Sequence, residues 1–411
     1  GPKTFFDKDA SPLNPHWFPL GSIIIYILVA VRAFILEPLM DQVRLQDLAS
    51  AGRTIAAIAD AGSVLLMYFL GRRLFGLRVG ALASVLTAFT VMNIQVTHFY
   101  RPESFVILLA LGTFWWIFNV LERGGRRDHV FLGLMVGLTF AFRGSSAPIL
   151  VPVFATYGVL VWRHYKASGI SPMTSVRGVL PIALMAGGVA FATFAVLQPY
   201  ALLDFYKFFG DLGWETSIAR TAGQVPYTVQ YVGMPLNLSY EITQSSVWAL
   251  GLPLGIVAWL GLAFTVLRSF FRQHLAELML LAWVVPLILI IATFEVKFLR
   301  YIAPVLPVMV LLGSRWLIAT YDWLKPRNIL SARLALVAIG FVVVSTVWYG
   351  LAFTSIYGQT HPGIQASQWM NANAERGSVV LTDNHWDEGF PDMGPFRVTQ
   401  LPMYEGDTFQ K

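Results

Sequence analysis

Long apolar runs alternate with short charged clusters along most of the chain. A helix rises about 1.5 Å per residue, so about 20 mostly apolar residues cross a hydrocarbon core about 30 Å thick. Segments 54–71, 78–97, 104–121, 129–143, 146–163, 179–198, 247–267, 275–296, 302–320 and 334–354 follow that pattern. They predict an all-α polytopic membrane protein that crosses the bilayer about ten times, with 129–143 short for a span. Segment 21–36 is apolar from Gly21 to Val31 but is interrupted by Arg32, and counting it as a span would invert the charge pattern of the later connections. It is expected to lie on the outer surface or to re-enter the membrane.

The charges orient the helices. Arg72, Arg73 and Arg78; Arg123, Arg126 and Arg127; Arg163, Lys166 and Arg177; Arg268 and Arg272; and Lys325, Arg327 and Arg333 fall on every second connection. Such clusters mark the cytoplasmic side. Three regions follow: an outer-face juxtamembrane segment 1–53, a transmembrane bundle 54–355 with an outer loop 199–246, and the start of an extracytoplasmic α/β domain at 356–411. In that tail Pro362 suits the first turn of a helix reaching about Ala374, and Ser378–Thr382 reads as a strand. The sequence begins Gly-Pro without Met and stops within this last region, as expected of a trimmed piece.

Composition supports the class. Hydrophobic residues make up 56% and charged residues 13%, with a mean hydropathy of +0.61, whereas soluble domains carry about 25% charged residues. With no cysteine, disulfides and thiolate chemistry are excluded. The net charge of +6 is accounted for by orientation and gives no sign of a nucleic-acid partner.

Candidate chemistry gathers on the connections of the outer face. In His98-Phe99-Tyr100-Arg101-Pro102-Glu103-Ser104, Pro102 would start a helix and place Glu103 in its first turn. There a carboxylate either caps free amides or holds a divalent cation or an acceptor. Arg101, Arg143, Lys297 and Arg300 are outer-face cations, each readable as an interfacial anchor or as a ligand for a lipid phosphate. Asp60, within an apolar span, needs a partner, and Arg53 is a candidate. Tyr227, Gln230 and Tyr231 mix aromatics and amides as sugar-binding surfaces do, or simply pack within their loop. The cluster Asp383-Asn384-His385-Trp386-Asp387-Glu388 is either a solvated loop or a metal site.

Several stretches together carry a family resemblance. They are Ser11-Pro12-Leu13-Asn14-Pro15, Tyr68-Phe69-Leu70-Gly71-Arg72-Arg73-Leu74-Phe75-Gly76, Gln198-Pro199-Tyr200-Ala201-Leu202-Leu203-Asp204, Pro226-Tyr227 with Gln230-Tyr231, Lys297-Phe298-Leu299-Arg300-Tyr301 and His385-Trp386-Asp387. The chain resembles the GT-C glycosyltransferases, in the branch of protein O-mannosyltransferases and aminoarabinose transferases, most like the bacterial phospholipid-carrier-dependent enzymes. The resemblance implies a GT-C-like helical bundle in the bacterial cell membrane. It implies transfer of a sugar from a polyprenyl-phosphate carrier to an unknown acceptor on the extracytoplasmic face, among membrane lipids. Glu103 is the implied catalytic carboxylate and metal ligand, with Mg or Mn the expected cation. Arg101, Arg143, Lys297, Arg300 and Tyr301 are expected at the carrier phosphate, and Tyr227, Gln230 and Tyr231 at the acceptor or sugar. The family's first acidic motif would lie upstream of Gly1, and Asp7 and Asp9 sit just downstream of that place. The rival readings are a transporter or lipid flippase, which would bury its ionisable groups near the midplane, and a noncatalytic membrane subunit.

Overall fold

The structure, a computed structural model, describes residues 2–169, 171–382 and 392–400. The chain enters through α1 (Pro2–Phe6) and α2 (Ser22–Val31). The bundle is built by α3 (Leu45–Phe75), α4 (Leu77–Ala88), α5 (Val91–Thr97), α6 (Pro102–Glu122), α7 (Arg126–Phe142), α8 (Leu150–Ser168) and α9 (Pro172–Leu197). An excursion follows, with α10 (Tyr200–Leu203), α11 (Phe205–Arg220) and α12 (Ser239–Gln244). The bundle resumes with α13 (Leu252–Phe271), α14 (Leu275–Ala292), α15 (Leu306–Leu324) and α16 (Ile329–Thr354).

Among the described residues eight helices are long and apolar enough to span, and α4 with α5, bent by 53°, would make a ninth. The predicted span 129–143 is α7, whose 17 residues extend about 26 Å. It runs antiparallel to α6, because Arg143 after its last turn reaches Glu103 in the first turn of α6. The chain is thus an integral membrane protein, and its bundle centres on α6 and α15, the most buried of the spanning helices. Phe114, Ile117 and Val308–Leu312 fill that centre. Close packing uses glycines: a Cβ on Gly133 or Gly137 of α7 would come within 2.3 or 2.4 Å of carbonyl oxygens of α9.

The connections sort into two ends by direct contact. At one end Arg73 pairs with Glu122 at 2.7 Å, Arg78 pairs with Asp322 at 2.9 Å, and Arg163 donates to the Leu121 carbonyl. These are the basic connections grouped from sequence. At the other end lie Glu103, Arg143 and the excursion 199–246. Segment 21–36 docks at this second end: Gly21 N–H donates to the Phe142 carbonyl, Ser22 to the Gln198 amide oxygen, and Tyr100 to the Ile24 carbonyl. Gly52, near the start of α3, also packs on Tyr100. The segment therefore leaves and returns at one end, and its helical stretch Ser22–Leu36 is shorter than the helices long and apolar enough to span. Asp60 accepts a 3.0 Å hydrogen bond from Asn93 of α5, while Arg53, the candidate partner, is exposed. A polar neighbour of this kind satisfies an ionisable group within a span without any catalytic role.

The loop 199–246 carries helix of its own, and α11 alone occupies 16 of its residues. In the tail, α17 (Pro362–Asn373) and the strand β1 (Val379–Thr382) fall where expected, and β1 pairs in parallel with β2 (Arg397–Gln400). The cluster 383–388 lies outside the described residues.

Candidate functional site

Pro102 locks the first turn of α6, as its fixed φ suits the N1 position, and so places Glu103 at the second helical residue. The Glu103 side chain is only 3% exposed. Arg143 leaves the end of α7 with extended backbone and inserts its guanidinium, donating to Glu103 Oε1 at 2.7 Å, to Glu215 Oε1 at 3.3 Å and to Ser145 Oγ at 3.0 Å. One cation thus ties two carboxylates from separate parts of the chain.

These groups border a cavity of about 270 Å³. Glu103, Arg143, Glu215, Arg220, Arg300 and Tyr301 supply its polar lining, while Val106, Trp283, Leu287, Ile290 and Ile291 supply an apolar floor along α6 and α14. The turn Leu299–Tyr301 presents Arg300, whose guanidinium lies over the Phe298 ring at 4.2 Å. Among the described residues that guanidinium makes no hydrogen bond and no ion pair to a protein carboxylate. Burial and the like charge of Arg101 hold its pKa below the ordinary arginine value. Burial, with Glu103 nearby, raises the Glu215 carboxyl above the usual carboxylate range, against the opposing pull of Arg143 and Arg300.

The sequence-derived residues fall into three groups. Glu103, Arg143, Arg300 and Tyr301 share the cavity. Arg101 does not line it; it is exposed at the N-cap of α6, close enough for its charge to act on Glu103 and Arg300. Lys297 is elsewhere: its ammonium, 0% exposed, donates to Glu241 Oε1 at 2.9 Å and to the Asn237 carbonyl at 3.2 Å. With its charge neutralised inside the protein, Lys297 holds the excursion to the bundle and has no free donor face for a phosphate, contrary to the expectation from sequence.

Tyr227, Gln230 and Tyr231 sit on the short helix Pro226–Tyr231 beside the cavity rather than in its lining. The Tyr231 ring meets Phe298 at 5.4 Å and Phe298 meets Tyr301 at 5.6 Å, a chain of aromatics backing Arg300. Burial pushes the Tyr231 phenol up to about 12, so it stays neutral. Gln230 donates to the Tyr227 carbonyl within its own turn.

Glu215 is the site residue that the sequence did not disclose. With Thr216, Ala219 and Arg220 it forms the face of α11 that closes the cavity. A carboxylate four residues ahead of a small residue, in an aromatic stretch, was the available signal. As for a metal, Glu103 Oε2 is a buried acceptor without a partner. Among the described residues, however, no group of three or more His, Asp or Glu is gathered for one, and Arg143 fills the space between the two carboxylates. The described donor set does not fit the expected Mg or Mn.

The chain is similar to known proteins in sequence and in fold. A family model described as dolichyl-phosphate-mannose-protein mannosyltransferase matches residues 42–191. The oligosaccharyltransferase of Archaeoglobus fulgidus, solved with a tethered acceptor peptide, superposes with a TM-score of 0.56 at 15% identity, over 90% of this chain and 55% of that one. ArnT from Cupriavidus metallidurans, bound to undecaprenyl phosphate, superposes with a TM-score of 0.51 at 15% identity, over 93% and 76%. The fold is GT-C. Within that fold the chain resembles the aminoarabinose and mannosyltransferase type. An undecaprenyl phosphate-alpha-4-amino-4-deoxy-L-arabinose arabinosyl transferase of Pseudomonas fluorescens is 27% identical over 276 residues, which is 64% of this chain and 45% of the relative. The chain spans about half the length of the curated relatives it matches. The Archaeoglobus fulgidus oligosaccharyltransferase has also been solved in complex with Zn and sulfate.

Proposed function

We propose that the protein transfers a sugar from a polyprenyl-phosphate carrier to an acceptor on the outer face of the membrane, the face opposite its basic connections. The observation that carries this reading is Arg300: a guanidinium with no carboxylate ion pair among the described residues, in a cavity with an apolar floor along α6 and α14 and a carboxylate-bearing mouth. An isoprenoid tail suits the floor and a phosphate suits the cation.

In glycosyl transfer the bond between the anomeric carbon and the phosphate oxygen breaks, and the electron pair leaves with the carrier phosphate. Preorganised cations at that oxygen stabilise the charge as it develops. Arg300 supplies such a cation directly. Arg143, already committed to Glu103 and Glu215, keeps the carboxylates in place so that they do not repel the phosphate. A divalent cation at Glu103 would need donors beyond the described residues, so charge neutralisation here is assigned to the arginines. The arrangement of the candidate groups favours this reading over a transporter: Glu103, Arg143, Glu215 and Arg300 line one cavity, and Asp60, within a span, is hydrogen-bonded by Asn93.

The test is transfer by the full-length protein in liposomes containing a polyprenyl-phosphate sugar. Release of polyprenyl phosphate together with a glycosylated acceptor is expected. A protein that neither binds the carrier nor releases its phosphate would refute the proposal.

A further inference from the structure

We infer that Glu215 is the group that takes the proton from a hydroxyl-bearing acceptor, while Glu103 holds Arg143 in place. This assignment rests on the sugar-transfer reading and divides between two carboxylates a role expected of Glu103 alone. The two groups share Arg143 but are held differently. Glu103 is 3% exposed and bound at 2.7 Å; its other oxygen is buried with no partner. Glu215 is 27% exposed and bound at 3.3 Å. A base must accept a proton from a group that arrives, so it needs an open face and a loose hold. Glu215 has both, on a helix that closes the cavity from the side of the excursion.

Their environments separate them further. The charged and titratable groups around Glu215 are Arg143 beyond the end of α7, Glu103 on α6, Arg300 and Tyr301 on the turn after α14, and Arg220 on its own helix. Burial and Glu103 raise its carboxyl despite the arginines. Paired carboxylates whose surroundings push them apart commonly divide acid–base work in this way. In the step itself the acceptor O–H proton passes to Glu215. The acceptor oxygen then bonds to the anomeric carbon, and the carbon–oxygen bond to the phosphate breaks with its electron pair going to the carrier.

A base must be deprotonated to act. Activity should therefore fall as pH drops through a value above the ordinary glutamate range, and be complete above it. The experiment measures the pH dependence of kcat for the full-length protein with an alcohol acceptor, for wild type, Glu215→Gln and Glu215→Asp. Carrier binding is measured alongside. Glu215→Gln is expected to lower kcat by about 10²–10⁴-fold, to abolish the acidic limb and to leave carrier binding within a few-fold. Glu215→Asp should restore part of the rate and restore the limb. An unchanged acidic limb in Glu215→Gln, with carrier still bound, would overturn the assignment and leave the sugar-transfer reading standing. Loss of carrier binding in wild type itself would instead remove that reading.

Discussion

Removing Arg300 and breaking the Lys297–Glu241 pair should have separable effects, although the two cations are three residues apart. Arg300→Ala deletes a cation that makes no hydrogen bond or ion pair among the described residues and rests over the Phe298 ring. It should leave thermal stability nearly unchanged and weaken equilibrium binding of polyprenyl phosphate by about 1.5–3 kcal/mol, the usual worth of a hydrogen bond to a charged group. Lys297→Met leaves the Glu241 charge buried and unpaired, a situation that costs about 3–5 kcal/mol. The melting temperature should drop clearly while the carrier affinity of the folded fraction holds. Equal loss of carrier affinity in both variants would contradict the separation. The sequence displayed both cations on an outer connection and could not tell them apart, because Glu241 lies 56 residues from Lys297 and the pairing exists only in the folded excursion. Glu103, Arg143 and Arg300 were legible for the converse reason: each stands out as a charge on a short connection at the end where orientation requires none.

At the scale of elements, most helices were legible from apolar length alone. The differences lie where length says little. The predicted span 78–97 is broken into α4 and α5 with a 53° bend; Thr90, at the break, leaves the helical conformation and turns its hydroxyl to the Leu86 carbonyl. Helix α11 escaped notice because Phe205, Tyr206, Phe209 and Trp214 are exposed while Phe208 and Ile218 are buried. Apolar residues on all sides give no single stripe at helical spacing. Packing between elements gives a prediction of its own. Gly137→Leu would drive a side chain into the Ala190 carbonyl and the Thr193 side chain of α9. Overpacking of this sort costs about 1–3 kcal/mol, and thermal unfolding in detergent should shift down accordingly. A variant as stable as wild type would show that α7 and α9 are not in the close contact described.

At the scale of the whole molecule, the two ends of the bundle were legible from the arginine pattern, and the ion pairs Arg73–Glu122 and Arg78–Asp322 bring together connections that the pattern had assigned to one side. With no native cysteine, single cysteines at Ser168 and Ser239, both exposed, should react with an impermeant thiol reagent from opposite sides of sealed vesicles. Labelling of both from the same side would refute the orientation. The apolar floor of the cavity along α14 carries a last consequence, for kinetics. A substrate that enters with its tail in the lipid is encountered by lateral diffusion, so its relevant concentration is the mole fraction in the bilayer, not the amount per volume of suspension. Adding empty lipid to proteoliposomes at fixed enzyme and carrier should slow turnover by surface dilution, while diluting the whole suspension with buffer should leave the rate per enzyme unchanged as long as the acceptor is held constant.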